Sequence, residues 1–429
     1  MAQQQGCRKI NPDRRSLRPA KDSFYLVIDA TMLDAFVRIS DEQGGPNSPG
    51  CSAYWRDFTY KSSVVVDETQ DPFGPEYMAA QLDLYHELSG RTLDQVANEQ
   101  TRFDMPAHVA AANPYGPYDP AAAALHTFRL ARAIMTARPQ FGGRVLDMGC
   151  GWGLSSEFAA YLGLNVTGVD INPDFVSLVN QRAALRGTPV KAVHSTFDDY
   201  VPDHTFDLIL FYECLHHAVR PWAVIERLAG SLAPGGAVAL AGEPINEAWR
   251  HWGMRLDPLS IYCIRKFGWF ESGWSLEFIK SVFARVDMRV EAEYDVISGH
   301  TLVARPMSAV QAALARVAQG CSATGWTVEL DHLVLQGSGS LAIPFPEGTN
   351  AATLDVRNYR GSTIALQITH AGQALFNGTV APGGGVIAIP RLAAVMQCEL
   401  QGEVWSPDAE LGNGDRREIS VHLAGVGFT

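Results

Sequence analysis

Thirteen residues, RVLDMGCGWGLSS from Arg144 to Ser156, constrain this chain more than any other stretch. An apolar run suited to a strand passes an acid at Asp147 and then places glycine at 149, 151 and 153. Glycine loses more conformational freedom on folding than any other residue, so such a cluster marks backbone that must turn left-handed or be approached closely. The following SSEFAAYLG has helical spacing, with Ser155 the expected N-cap and Gly163 past the C-end. A strand, a bare turn and a helix N-terminus together offer unpaired N–H groups and a positive dipole end to a ligand.

The pattern continues downstream. NVTGVD, VKAVHS, FDLILFY and AVALAGE read as strands, alternating with helical FVSLVNQRAALRG and AVIERLAGSLAPGG. Short apolar strands between helices predict a parallel sheet covered on both faces, whose ligands bind beyond the carboxyl ends of the strands. Upstream, residues 75–100 show helical spacing interrupted at Gly90, and Ala121 to Ala137 a second amphipathic helix after the Pro-rich NPYGPYDP. Residues 22–73 hold short β-like runs, FYLVID and SSVVVDE, around the turn-rich EQGGPNSPGCS.

The glycine turn is not a dinucleotide fingerprint, because the third glycine of G-x-G-x-x-G would fall on Leu154. Asp147 would also be unwelcome beside a diphosphate. The next strand ends at Asp170, 23 residues after Asp147, where an acid can grip two ribose hydroxyls. The two acids suit a ligand with a zwitterionic amino-acid end and a nucleoside end.

VLDMGCGWG, GVD, FDLILFYECLHHA and LAPGGAVALAGEP, in this order, resemble the class I S-adenosylmethionine-dependent methyltransferases over roughly residues 120–305. The resemblance implies an α/β fold with a Rossmann-like seven-stranded sheet, ending in an antiparallel hairpin that DMRVEAEYDVISGHTLVAR would supply. It implies S-adenosyl-L-methionine as cofactor. Gly149, Gly151 and Gly153, with Cys150 between them, would admit the methionine moiety, and Asp147 would accept its ammonium through water or backbone. Asp170, followed by Ile171, would hold the ribose. Ser195 stands where related sequences often carry an adenine-binding Asp, which leaves Phe197 or Asp198 as substitutes. Glu213, just past the fourth strand, would line the cofactor pocket.

A hydroxyl acceptor must lose a proton as it is methylated, and a positioned base contributes typically about 10²–10⁴-fold. His217 and His216 in YECLHHA are the candidates, His217 favoured; Glu243, at the end of strand five, is a further candidate for contacting substrate. No metal site is expected, since adjacent histidines on an extended backbone point apart. The resemblance implies that residues 244–275, with the helices before the first strand, form a lid over the acceptor. Trp249, Trp252, Trp269 and Trp274 among Arg250, His251 and Arg255 suit an apolar sugar face with hydroxyl edges, or serve in part as core of the inserted helices.

From about residue 306, WTVELDHLVLQ, TLDVRNYRG, TIALQITHAGQ and VIAIPR alternate apolar and polar residues between turns, which predicts an antiparallel β-sandwich. Its last strands resemble β-sandwich accessory domains of bacterial polysaccharide-assembly proteins, on Trp405, Pro407, Asp415, Arg416, Arg417 and Glu418. Three regions are therefore expected: an N-terminal extension over 1–110, a methyltransferase domain over 111–305, and a sandwich over 306–429 with carbohydrate-binding or purely structural use.

A net charge of −12 argues against a nucleic-acid partner; Arg8, Lys9, Arg14, Arg15, Arg18 and Lys21 form the single basic cluster. No apolar run reaches the roughly 20 residues of a membrane span. Seven scattered cysteines without a CxxC pair fit reduced thiols and a cytoplasmic location. The expected acceptor is a carbohydrate hydroxyl, with a small natural product as the alternative and a non-catalytic glycan-binding or scaffold subunit as the rival class; a homodimer is an open alternative.

Overall fold

The computed structural model describes residues 26–116, 119–319, 325–328 and 332–429. The basic N-terminal cluster, Cys7 and Cys321 lie outside them, as do parts of FYLVID, NPYGPYDP and WTVELDHLVLQ. The chain packs as two compact units. One takes the described residues up to Pro234 with Val238–Val282 and Ala292–Val303; the other takes Gly235–Ala237, Phe283–Glu291 and Ala304–Thr429. The stretch before residue 111 packs into the same unit as the glycine turn.

The site-bearing sheet has seven strands: β1 (Arg144–Met148), β2 (Asn165–Asp170), β3 (Val190–His194), β4 (Phe206–Tyr212), β5 (Leu232–Ala241), β6 (Met288–Asp295) and β7 (Gly299–Pro306), in the order β6-β7-β5-β4-β1-β2-β3. β1 to β4 pair in parallel, with Asp147 opposite Gly168 and Leu210. Val145, Leu146 and Met148 of β1 and Leu208 to Phe211 of β4 are buried, as strands covered on both faces must be. The order reverses between β1 and β4, which makes the carboxyl ends of these strands the place for a ligand.

Helix α1 (Pro120–Ala137) starts as its sequence dictates: Asp119 accepts from the Ala122 N–H, and proline occupies the first turn. Helix α2 (Leu154–Tyr161) departs from expectation. Its N-cap is Gly153 at φ 88°, while Ser155 turns inward instead of capping. Helix α3 (Pro173–Arg186) is capped by Asn172 and ends at left-handed Gly187.

The N-terminal stretch differs from its β-rich expectation. Leu26–Ile28 pairs in parallel with Phe58–Tyr60, but helices Leu33–Glu42 and Pro49–Tyr54 lie between them. SSVVVDE forms no strand, since Ser62 Oγ and the Ser63 N–H are engaged by the Glu87 carboxylate. Helix Pro75–Ser89 ends at Gly90 as expected. Its Tyr77 and Tyr85 hydroxyls donate to the carbonyls of Trp252 and Gly268, fastening it to the 244–275 insertion.

In the second unit, antiparallel sheets of five and four strands share one apolar core, including Leu341, Ile343, Leu354, Val356, Ile368 and Met396. Helix Ala309–Gln319, which the strand pattern did not anticipate, contributes Leu314 and Val317. No helix of the described residues is long and apolar enough to cross a membrane.

Candidate functional site

A cavity of ≈ 340 Å³ opens at the carboxyl ends of β1, β2 and β4, and another of ≈ 460 Å³ lies over the glycine turn; both are lined by Gly149, Gly151, Trp152, Glu213 and Trp269. The three glycines do different work. Gly149 (φ 67°) is boxed in: a Cβ there would lie 2.8 Å from the Cys214 Cβ and 3.2 Å from the Phe197 ring. Gly153 packs on Val179 and lines neither cavity, so it serves the turn rather than a ligand. Gly151 (φ 48°) faces open space, with no atom within 4 Å of where a Cβ would stand.

Asp170 is the brace of this turn. Its Oδ2 accepts the Gly151 N–H at 2.7 Å and its Oδ1 accepts the Asn172 N–H at 2.8 Å, while its side chain lines the ≈ 340 Å³ cavity. Burial raises its pKa, and the two amide donors oppose that rise. Asp147 does not face the ligand space directly. It is 1% exposed beneath the turn, where Oδ2 accepts the hydroxyls of Ser155 (2.7 Å) and Ser156 (2.6 Å), and it reaches neither cavity. Its Oδ1 has no hydrogen-bond partner, and burial pushes its carboxyl up to about 6.

The cavity at the strand ends also collects Ile171, Ser195, Thr196, Phe197 and Asp198, and the one over the glycine turn Cys150. Glu213, with left-handed backbone at φ 50°, pairs with Arg129 and lies 3.5 Å from His126, both from α1; His126 also bonds the Tyr212 hydroxyl. Arg129 and His126 were not singled out from sequence; their helical spacing (i, i+3) on a helix preceding the turn was the available signal.

His216 and His217 sit in a 3₁₀ turn, Leu215–His217, not on extended backbone, and their rings lie 4.3 Å apart. This corrects the expectation that they point apart. One ring nitrogen of each and a Glu271 oxygen fall within 4.8 Å of one another, a grouping that could hold a metal ion and that the sequence reading excluded. Arg255 Nη1 approaches the same Glu271 carboxylate at 3.5 Å.

The histidines have separate roles. His216 is buried, its Nδ1 2.8 Å from Glu243 Oε2 and its Nε2 3.6 Å from Glu271. Glu243 is corrected too: it is buried behind the site and accepts the N–H groups of Cys214, Leu215 and His216, holding the turn instead of meeting substrate. His217 lines the cavity at the strand ends. Its Nδ1 is 3.0 Å from the Phe270 carbonyl, which can only accept, so Nδ1 carries a proton and in the neutral imidazole Nε2 holds the lone pair. Glu99 stands beside it, 3.6 Å from Nδ1. Burial works against charging His217, but the carboxylates of Glu99, Glu271 and Glu243 outweigh it and raise the imidazole above its usual pKa.

The lid tryptophans divide as the core alternative allowed. Trp274 and Trp252 are core residues; of the four tryptophans in the insertion, Trp269 is the one lining these two cavities. The other indole is Trp152 of the glycine turn, stacked on His108 at 4.6 Å and packed against Phe103 and Phe175. Over this mouth runs the segment before α1. Arg182 of α3, fully buried, binds Glu157 through Nε (2.5 Å) and Nη2 (2.9 Å) and donates from Nη1 to the carbonyls of His108 (2.5 Å) and Ala111 (3.0 Å).

Residues 146–240 match the family described as "Methyltransferase domain". Among curated proteins, the ubiquinone biosynthesis O-methyltransferase of Shewanella pealeana is 34% identical over 116 residues, covering 27% of this chain and 49% of that protein. The one from Actinobacillus pleuropneumoniae serotype 7 is 32% identical over 148 residues, 33% and 63% respectively. The chain spans about half the length of the curated relatives it matches. A crystal structure described as an S-adenosylmethionine-dependent methyltransferase from Aquifex aeolicus aligns over 47% of this chain and 98% of its own, at 17% identity and a TM-score of 0.35.

Proposed function

We propose that this chain, an S-adenosylmethionine-dependent methyltransferase, methylates a hydroxyl oxygen of a carbohydrate, with His217 as the proton acceptor. The observation that carries the reading is the imidazole itself, held at Nδ1 by the Phe270 carbonyl in the wall of a cavity that reaches the glycine turn, which leaves Nε2 as the nitrogen to take a proton. Bound, the cofactor supplies a methyl group on a positively charged sulfur. The open side of Gly151, the floor at Gly149 and the braced Asp170 suit it, and Ile171, Phe197 and Asp198 would flank its nucleoside end. Glu213, in place of Asp147, would meet the ammonium, with Arg129 and His126 near the carboxylate. Holding acceptor and methyl in line can supply about 7–11 kcal/mol of barrier lowering, and His217 takes the hydroxyl proton as the oxygen bonds carbon.

For a sugar acceptor, support comes from Trp269 set among the polar Gln95 and Glu99 at the cavity. The second unit adds a polar groove of ≈ 450 Å³ lined by Ser338, Ser340, Gln367, Thr369, Glu399 and Gln401, donors and acceptors suited to a glycan. Five buried free thiols, Cys51, Cys150, Cys214, Cys263 and Cys398, fit a reducing cytoplasm. A phenolic hydroxyl is the second reading, favoured by relatives named as ubiquinone biosynthesis O-methyltransferases. The test is transfer of labelled methyl from S-adenosylmethionine to nucleotide sugars, methyl glycosides and catechol. Turnover on a sugar, lost at least about 10²-fold in His217→Ala, supports the proposal; turnover on catechol alone replaces the sugar with a phenol.

A further inference from the structure

Glu99 was not marked by the sequence, and it stands 118 positions before His217. It follows the short helix Gln95–Asn98 in a strap tied down on several sides. Gln95 Nε2 donates to the His217 carbonyl at 2.6 Å, Asn98 Nδ2 reaches the Tyr85 hydroxyl at 3.4 Å, and the Thr101 carbonyl accepts from Asn172 Nδ2 at 3.2 Å. The strap thus sets Glu99 in the cavity wall, its side chain 15% exposed. Its Oε1 is fully buried, 3.6 Å from His217 Nδ1, and has no hydrogen-bond partner. A buried carboxylate oxygen without a partner is destabilising, so it calls for a moment at which it is satisfied.

Building on the proton-acceptor role of His217, we infer that Glu99 is a positioning residue that receives the Nδ1–H of His217 when that imidazole becomes charged. In the resting state Nδ1–H donates to the Phe270 carbonyl. During transfer the acceptor oxygen forms its bond to the methyl carbon, the carbon–sulfur pair stays on sulfur, and the hydroxyl proton moves to His217 Nε2. The imidazolium then carries two N–H donors, and a small ring rotation brings Nδ1–H from the carbonyl toward Glu99. Charge-assisted hydrogen bonds are roughly twice as strong as neutral ones, so this partner matters most once the proton has moved. The other groups facing the imidazole cannot replace it: Glu243 is committed to His216 and the turn, Glu271 lies between His216 and Arg255, and Asp170 is held by Gly151 and Asn172.

The test uses the full chain labelled with ¹³C at histidine Cε1, the His217 signal being identified by its loss in His217→Ala. Glu99→Gln keeps the shape of the side chain and removes its charge. The His217 titration midpoint should fall by at least about half a pH unit, because burial then opposes an imidazolium with one fewer carboxylate beside it. With the best substrate among the nucleotide sugars and catechol, kcat should drop about 10-fold or more, its acid limb should move to lower pH, and Glu99→Asp should recover part of the rate. Affinity for S-adenosylhomocysteine, measured by calorimetry, should stay within twofold and reports intact folding. An unmoved midpoint in a variant that still binds S-adenosylhomocysteine overturns the inference. So does activity abolished by a chelator and restored by Mg²⁺ or Zn²⁺, which would make His216, His217 and Glu271 ion ligands. Full activity in His217→Ala instead overturns the proton-acceptor reading on which the inference rests.

Discussion

Replacing Asp170 by asparagine changes one atom and should disable the cofactor cradle. Both carboxylate oxygens accept backbone N–H groups, Gly151 at 2.7 Å and Asn172 at 2.8 Å. An amide keeps one acceptor and turns an NH₂ group toward the other N–H, so one charge-assisted hydrogen bond is lost and a buried donor is left facing a donor. Hydrogen bonds to charged groups contribute about 1.5–3 kcal/mol each. Gly151 is the glycine whose open side would admit the ligand, and its left-handed backbone is what the bond secures. If that strain falls on the cradle, S-adenosylhomocysteine should bind about 10- to 150-fold more weakly, at 1.4 kcal/mol per tenfold. Isothermal calorimetry at pH 7.5, with circular dichroism to confirm folding, measures this. A folded Asp170→Asn variant whose Kd stays within twofold would refute both the brace and the ribose role.

Arg182→Met should destabilise the first unit by about 3–5 kcal/mol, since it leaves Glu157 without its buried partner; denaturant unfolding measures this, and trypsin should then cut faster between 102 and 138. Gly149→Ala should lower the melting temperature and weaken S-adenosylhomocysteine binding, because its Cβ would stand 2.8 Å from that of Cys214 at a left-handed φ. Asp147, raised to about 6 when folded, favours the native state fully below its unfolded pKa and loses that contribution as pH rises from about 4 to 6. The stability of wild type relative to Asp147→Asn should therefore fall by about 1 kcal/mol between pH 5 and 7, by urea titration.

What was legible in the sequence was local. The glycine turn, the strands around it and Asp170 declare themselves within thirty residues, because backbone conformation and strand period are set by near neighbours. The helix start at Asp119-Pro120 was legible for the same reason. The partners of Asp147 were not legible, being hydroxyls eight and nine positions on; Ser155 resembles an N-cap in one dimension and reaches inward in three. Glu243 was misread because an acid at a strand end can face the ligand or the turn behind it, and the 3₁₀ turn at 215–217 decided that. Glu99, Glu271 and Arg129 could not be assigned at all. Each gains its meaning from a partner 54 or more positions away, through tertiary packing that no periodicity encodes.

The stacking of Trp152 on His108 gives the protein an optical reporter where it is most useful. The indole lies in the glycine turn, lines both cavities and touches Phe103 and Phe175. Indole emission responds to what touches the ring, so the brightness of this one ring follows the arrival of a ligand. Of the indoles in the chain, Trp274 and Trp252 are sealed in the core and serve as a steady background. A Trp152→Phe difference spectrum would isolate the signal, letting stopped-flow mixing time cofactor entry separately from methyl transfer, in unlabelled protein and before any acceptor is known.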